Sequence, residues 1–185
     1  MNLYFRLLLL ILKLPFLKRD LNMLTPSILR MHVWPSDLDF NMHMNNGRYL
    51  TIMDLGRFHL MAKKGMLKAI LKHRWQPVLG GVKIHFIKDL APFTHFDLKT
   101  EVVWWDEKWI YIEQTFLQNQ TVIATGLLKV LFIYQGKPLS SEHVLNLMEI
   151  TPQKPPQPHD LKLWLDAEAE SKRYRNKSFE SVSTK

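Results

Sequence analysis

The chain has 185 residues, of which 46% are hydrophobic and 23% are charged, the composition of an ordinary globular protein with one core domain. It has no cysteine, which excludes disulfides, thiolate metal sites and a cysteine nucleophile. The net charge of +8 suggests an anionic partner, and the absence of a groove-reading motif argues against nucleic acid.

Within the N-terminal segment, residues 1–20, the stretch from Leu3 to Leu17 is almost wholly apolar apart from Arg6 and Lys13, which lie nearly two helical turns apart and share one polar stripe. It is shorter than the ~20 residues that span a bilayer, and it lacks the small-residue cleavage site of a signal peptide. We therefore expect an in-plane amphipathic anchor on a cytoplasmic protein that is peripheral to the membrane. The cations expected at anionic headgroups are Arg6, Lys13, Lys18 and Arg19. A helix packed on the domain or on a partner subunit is the alternative.

A first strand is predicted from Ile28 to Trp34, and a long helix from Gly47 to about Lys64, where apolar residues recur every three or four positions. Asn45 and Asn46 are suitable caps for the start of this helix. A shorter helix is predicted to follow, up to about Arg74.

The two helices are basic, because seven lysines and arginines between Arg48 and Arg74 accompany a single acid, Asp54. Such a segment would suit the phosphates of a ligand or anionic lipid headgroups. The alternative is an ordinary solvated helix face.

Beyond Trp75 the hydrophobic period changes to two, which predicts strands. The predicted strands are Val78–Ile87, Phe96–Trp105, Trp109–Leu117 and Thr121–Tyr134. The last three are joined by tight turns and should form an antiparallel meander, and Gly80-Gly81 suggests a bend in the first of the four. One strand, a long helix and four strands predict an α+β domain over residues 21–137, in which a sheet of about five strands wraps around the helix.

The C-terminal tail, residues 138–185, is predicted to be helical with a proline-rich linker. A helix is expected near Ser141 to Glu149, followed by a stiff extended linker over Thr151–His159. Asp160 is expected to cap a last helix that ends near Arg173, with disorder from Ser178 to Lys185.

The stretch from Asp37 to Tyr49 carries the chemistry. It resembles the signature of hotdog-fold thioesterases, D-x-D followed by H-x-N-N-x-x-Y at the entry to the central helix, and is similar to that of acyl-ACP and acyl-CoA thioesterases. The ten-residue step from Asp39 to Tyr49 matches the aspartate-to-tyrosine spacing of 4-hydroxybenzoyl-CoA thioesterases. The resemblance covers roughly residues 25–136. It implies a hotdog fold, hydrolysis of acyl-CoA or acyl-ACP thioesters without a cofactor, and a homodimer or homotetramer.

The resemblance assigns catalysis to three residues of this stretch. It implies that Asp39 is the general base or the nucleophile, and that Asn41 and His43 help to orient water or the carboxylate. Unpaired backbone N–H groups at the helix start, near Asn46 and Gly47, could hold the oxyanion. Each residue also has a structural reading: Asp39 could form a turn, and His43 could brace the loop.

A second group of residues is expected to contact the substrate. Its members are Asn45, Asn46, Gly47, Tyr49 and Asp54. The alternatives are capping for the asparagines, packing for Tyr49, and for Asp54 either a structural hydrogen bond or a second carboxylate across a dimer interface. The histidines have no ligand-like spacing, so no metal site is expected.

Two other functions are compatible with a hotdog fold. An enoyl-CoA hydratase would need an aspartate and a histidine in a D-x4-H arrangement with Asn-Pro inside, whereas Asp39 and His43 are separated by three residues and no proline lies between them. A non-catalytic acyl-CoA binder or membrane-associated scaffold would keep the fold without the chemistry.

Overall fold

The computed structural model describes residues 2–146 and 153–183. Residues Met1–Lys154 form one compact unit and Pro155–Lys185 form a second. The first unit contains the whole sheet, the N-terminal helix and the candidate catalytic stretch.

The first unit is built on one curled antiparallel sheet. Its long strands are β1 (Ser27–His32), β2 (Gln76–Phe86), β3 (His95–Trp105), β4 (Ile110–Gln118) and β5 (Thr121–Tyr134). Their order across the sheet is β1-β3-β4-β5-β2, and a two-residue strand, β6 (Lys137–Pro138), pairs with β5. Strands β3 to β5 are consecutive antiparallel neighbours, which confirms the predicted meander. Strands β1 and β2, by contrast, lie at opposite edges of the sheet.

The helices agree with the predicted element order. They are α1 (Asn2–Lys13), α2 (Asn46–Lys63), α3 (Met66–His73), α4 (Ser141–Asn146) and α5 (His159–Ser183). Gly65, in the left-handed region with φ of 75°, separates α2 from α3 and permits the sharp change of direction. None of the helices in the described residues is both long enough and apolar enough to cross a bilayer.

Helix α2 packs closely against the concave face of the sheet. A Cβ atom built on Gly56 would lie 2.5 Å from Gln114 Nε2 and 2.6 Å from Leu98 Cδ2, so glycine is needed for this approach. Gln114 is fully buried and donates from Nε2 to the Met53 carbonyl (3.0 Å) and to Thr100 Oγ1 (2.9 Å). The sheet thus wraps around α2, which is the α+β arrangement expected.

A buried hydrogen bond ties β1 to α2. Ser27 Oγ and His59 Nδ1 lie 2.6 Å apart, and burial, with a smaller contribution from Lys63, lowers the pKa of His59 below 6.5. The folded protein therefore prefers neutral His59, whose contribution to stability is complete above pH 6.5 and is lost as pH falls through the lowered pKa.

Urea unfolding above and below pH 6.5 should show the free energy of unfolding falling on acidification. The fall should be shallower in His59→Gln, and an unchanged slope would contradict this assignment.

The predicted bend in β2 is confirmed. The register of β2 against β5 shifts between Leu79 and Gly81, and the Trp109 ring lies against Gly80, where a Cβ atom would be 2.1 Å from the ring. The bulge therefore lets an aromatic side chain cross the strand at a residue that has no side chain.

The prediction for the tail is partly wrong. Helix α5 begins at His159, with Asp160 inside its first turn rather than at its cap, and continues to Ser183 instead of ending near Arg173. The prediction of disorder from Ser178 is therefore wrong as far as Ser183. Residues 184–185 lie outside the described residues. Helix α4 begins at Ser141 as predicted, and residues 147–149 of its expected extent also lie outside the described residues.

Candidate active site

The stretch that precedes α2 folds into a small closed loop. Leu38 and Met44 form an isolated antiparallel bridge, and inside it the Asp39 N–H donates to the His43 carbonyl at 2.9 Å. The Met42 N–H donates to the Asp39 carbonyl at 3.1 Å, with Met42 in the left-handed region at φ 59°. The bridge and these two bonds bring Asp39, Asn41 and His43 together in one loop.

The carboxylate of Asp39 is half-buried and held by the backbone of its own loop. Its Oδ1 accepts the N–H groups of Asn41 (2.9 Å) and His43 (3.4 Å). Its Oδ2 accepts no hydrogen bond from residues 2–146 or 153–183. The turn-forming role and a reactive role are thus compatible, because one oxygen fixes the carboxylate while the other stays open to a ligand or water.

The other two residues assigned to catalysis are more exposed. Asn41 is exposed, and His43 is half-exposed with its Nδ1 3.8 Å from Asp89 Oδ2. Both lie in the Asp39 loop, and their backbone N–H groups donate to the Asp39 carboxylate. The backbone of His43 therefore braces the loop, which supports the structural alternative for this residue.

The start of α2 differs in one respect from the expected oxyanion hole. Asn45 is the N-cap and its Oδ1 accepts the Gly47 N–H at 2.8 Å, while the Arg48 N–H donates to the Asn45 carbonyl at 2.8 Å. The Gly47 N–H is consequently occupied by the cap and is not unpaired as expected. A substrate contact of Gly47 stays a prediction. The Asn46 N–H has no acceptor in the part of the chain that the structure describes, and it remains the candidate donor.

Asp37 is the structural carboxylate of the signature. It is 2% exposed, forms an ion pair with Arg6 of α1, accepts the Trp34 N–H at 2.9 Å and faces Arg48 Nε at 3.4 Å. Its backbone carbonyl accepts the Asn45 N–H at 2.8 Å, which links it directly to the cap of α2. Asp37 therefore joins three elements around the Asp39 loop.

Arg6 does not reach for lipid headgroups, so that expectation is wrong. The residue is 7% exposed, and its guanidinium donates to the His32 carbonyl at 3.1 Å and pairs with Asp37. Burial lowers the pKa of Arg6, and the charge of Asp37 opposes that shift. The contact could not be predicted from the apolar run of residues 3–17, because nothing in its pattern indicates where a partner for Arg6 lies.

Tyr49 lies in the core rather than in an open site. It is 2% exposed, and its ring makes edge contacts with Phe86 (5.1 Å) and Phe116 (4.8 Å). Burial, aided by the charge of Asp89 and opposed by a hydrogen bond from the Leu90 backbone, raises the pKa of its hydroxyl to about 12. The packing alternative for Tyr49 is thus the one that its geometry supports.

Asp54 lies on α2 away from the Asp39 loop. It is exposed and forms an ion pair with Arg57, whose Nη1 also donates to Gln114 Oε1 at 3.3 Å. Burial lowers the pKa of Arg57, and Asp54 opposes the shift. The pattern of the sequence does not indicate that the Arg57 side chain is largely buried, with 14% of it exposed.

A largely apolar cavity of about 450 Å³ opens beside this pair. Asp54 and Arg57 are its only charged lining residues among those described, and the rest of the wall comes from α1, α2, α3, strands β2 to β5 and Met23 in the loop before β1. The involvement of α1 was not predicted.

Four of the seven basic residues between Arg48 and Arg74 contact other groups of the protein. Arg48 faces Asp37 and Arg57 pairs with Asp54. Lys63 donates to the Pro26 carbonyl at 3.2 Å, and fully buried Lys64 pairs with Asp20 at 3.4 Å. The other three, Lys68, Lys72 and Arg74, are exposed. The described residues contain no group of three or more histidines, acids or cysteines suited to a metal.

Comparison with known proteins identifies the family of the chain. A model of the thioesterase-like superfamily matches residues 33–165. The chain belongs to the thioesterase-like superfamily. The protein THEM6 of Drosophila melanogaster is 33% identical over 135 residues, which cover 71% of this chain and 67% of the fly protein. THEM6 of Xenopus laevis is 33% identical over 96 residues, which cover 52% of this chain and 46% of the frog protein. The matched part thus spans between about half and two thirds of these relatives.

Solved structures agree on the fold. The probable thioesterase YbaW of Escherichia coli has a TM-score of 0.61 at 18% identity, covering 66% of this chain and 95% of that protein. A Staphylococcus aureus protein solved in complex with CoA has a TM-score of 0.62 at 14% identity, covering 77% and 95%. The hotdog fold expected of this thioesterase-like chain is confirmed.

Proposed function

We propose that this thioesterase-like chain hydrolyses acyl-CoA or acyl-ACP thioesters to a free acid and a thiol. The observation that carries the proposal is the Asp39 carboxylate, held through Oδ1 by two backbone N–H groups with Oδ2 open, in the loop that leads into α2. A carboxylate fixed in this way is a suitable general base or nucleophile, and the family supports thioester hydrolysis as the reaction class.

The chemistry needs few groups. Asp39 Oδ2 takes a proton from water as the oxygen of that water adds to the thioester carbonyl, and the C–S bond then breaks to release a thiolate. Alternatively, Oδ2 attacks the thioester carbonyl carbon, the C–S bond breaks to release the thiolate, and water then hydrolyses the resulting anhydride to the free acid and the Asp39 carboxylate. The Asn46 N–H is the candidate donor to the oxyanion. Asn41 and His43 are proposed to orient the water from their places in the loop, and Asn45 to set the start of α2 through its cap.

The carrier is proposed to be CoA or an acyl carrier protein. Lys68, Lys72 and Arg74 are exposed and offer positive charge to phosphate groups. One protein with the same fold was solved in complex with CoA, which makes that carrier the first to test.

We propose a homodimer, or a tetramer built from it, formed along the edge of β2. This strand has 11 residues, lies at the end of the sheet path and is exposed along most of its length, including Val78 and Leu79. A long edge with apolar side chains is a template for pairing with another strand. Light scattering after size exclusion should give twice the chain mass of 21.9 kDa or a higher multiple. A monomer at micromolar concentration would contradict the proposal.

We also propose that α1 places the protein on an anionic membrane surface. Its exposed side chains are apolar apart from Lys13, among them Tyr4, Leu8 and Leu12, although exposed helix faces are normally polar. Lys13, together with Lys18 and Arg19 just beyond the helix, is exposed and suits anionic headgroups. The buried Arg6 contributes to docking of the helix instead.

Vesicle flotation tests this placement. The full chain should float with phosphatidylserine-containing vesicles, less with neutral phosphatidylcholine vesicles, and far less as Leu8→Asp/Leu12→Asp. Equal flotation of the wild type and the double variant would contradict a role for the outer face of α1.

The decisive experiment for the proposed activity measures the release of thiol from a panel of acyl-CoAs by the wild type and by Asp39→Ala. Hydrolysis that disappears in the variant supports the thioesterase. Binding of acyl-CoA without turnover by either protein would instead support the non-catalytic scaffold.

A further inference from the structure

The cavity beside α2 has the properties of a site for an acyl chain. Its volume of about 450 Å³ lies within the range of ligand pockets, roughly 300–1,000 Å³. Its wall is apolar except for Asp54 and Arg57, which neutralise each other in an ion pair. A flexible hydrocarbon could fill such a space without leaving an unpaired polar group.

Helix α2 connects this cavity with the Asp39 loop. The helix begins directly after the loop, at Asn46, and contributes to the cavity wall from Asp54 onwards. Eight residues separate these positions, roughly 12 Å along the axis. A thioester whose carbonyl lies at the start of α2 therefore needs a long acyl group to use the cavity.

The orientation of α1 around its own axis is fixed by Arg6, which is bonded to His32 and paired with Asp37. Helical spacing then puts Leu3, Leu7 and Leu10 on the same inward side as Arg6. Leu10 is buried, and Leu3 and Leu7 are half-buried in the cavity wall. The next residue, Leu8, points outward and is 52% exposed.

We propose that α1 is a wall of the acyl-binding cavity and that Leu3 and Leu7 determine which acyl chains the protein accepts. The proposal rests on the proposed function and names its substrate class: acyl groups of medium to long chain rather than acetyl or other short groups. Helix α1 thus selects the acyl chain through its inner face and contacts the membrane through its outer face.

The test compares Leu7→Trp, which fills the cavity, with Leu8→Trp, which adds the same bulk outside it. Turnover is measured from butanoyl-CoA to palmitoyl-CoA. Leu7→Trp should lower kcat/KM for palmitoyl-CoA by about 10-fold or more relative to butanoyl-CoA. Leu8→Trp should keep the wild-type profile. Identical profiles for the two variants would overturn the proposal while leaving hydrolysis intact.

A second measurement does not depend on turnover. Binding of the fluorescent fatty acid cis-parinaric acid should weaken in Leu7→Trp and not in Leu8→Trp, even if the wild type hydrolyses nothing and the proposed function fails. If Leu7→Trp does not fold, as judged by thermal unfolding, Leu7→Ala decides the matter. The enlarged cavity should then shift the profile of kcat/KM towards longer acyl chains. If neither this profile nor the affinity for cis-parinaric acid changes, α1 is not a wall of the acyl-binding cavity.

Discussion

Replacing Asp39 by Asn is expected to lower kcat for acyl-CoA hydrolysis by about 10²–10⁴-fold with little change in KM. An amide can neither take the proton of water nor attack the carbonyl. The Asn Oδ1 can still accept the N–H groups of Asn41 and His43, so the loop should keep its shape. The measurement is steady-state release of free thiol, with KM taken from the same curves.

Asp97→Asn is a suitable control for this variant, because Asp97 pairs with the exposed Arg30 on the β1–β3 edge and takes no part in the loop. It should retain the wild-type rate. Thermal unfolding of Asp39→Asn should resemble that of the wild type if only the chemistry is lost. Full activity in Asp39→Asn would remove this residue from the mechanism and leave the fold untouched.

The sequence predicted the elements well where the controlling interactions are local. The three- and four-residue spacing of apolar residues in α2 and the tight turns between β3, β4 and β5 act over a few residues, and both predictions are confirmed. The Asp39 loop is also local: its carboxylate binds N–H groups two and four residues further along the chain.

Interactions between distant segments could not be predicted from the pattern. Strands β1 and β3 pair although two α-helices and a strand separate them in the chain, and β2 pairs with β5 although two strands lie between them. No spacing rule specifies either pairing. Arg6 looked like a headgroup ligand because its segment is apolar, whereas its partner, Asp37, lies 31 residues away. The acceptor for the Gly47 N–H is local, because the predicted cap, Asn45, accepts that N–H through Oδ1 two residues earlier in the chain.

Replacing Asp37 by Ala is expected to destabilise the protein by about 3–5 kcal/mol, since it leaves the buried charge of Arg6 without its partner. The Nε of Arg6 is already buried without an acceptor among the described residues, so this guanidinium depends strongly on its ion pair. Urea unfolding provides the measurement. Asp97→Ala, which removes an acid from an exposed pair with Arg30, should cost about 0–1 kcal/mol in the same assay.

The double variant Asp37→Ala/Arg6→Met separates a buried charge from a general loss of packing. Removing both charges should recover most of the lost stability, because the cost of Asp37→Ala is mainly that of an unpaired cation. The Trp34 N–H and Arg48 would still lose an acceptor, so recovery should be incomplete. A double variant as unstable as the sum of the two single variants would mean that Arg6 and Asp37 act independently. In that case the pair would not be what holds α1 beside the Asp39 loop.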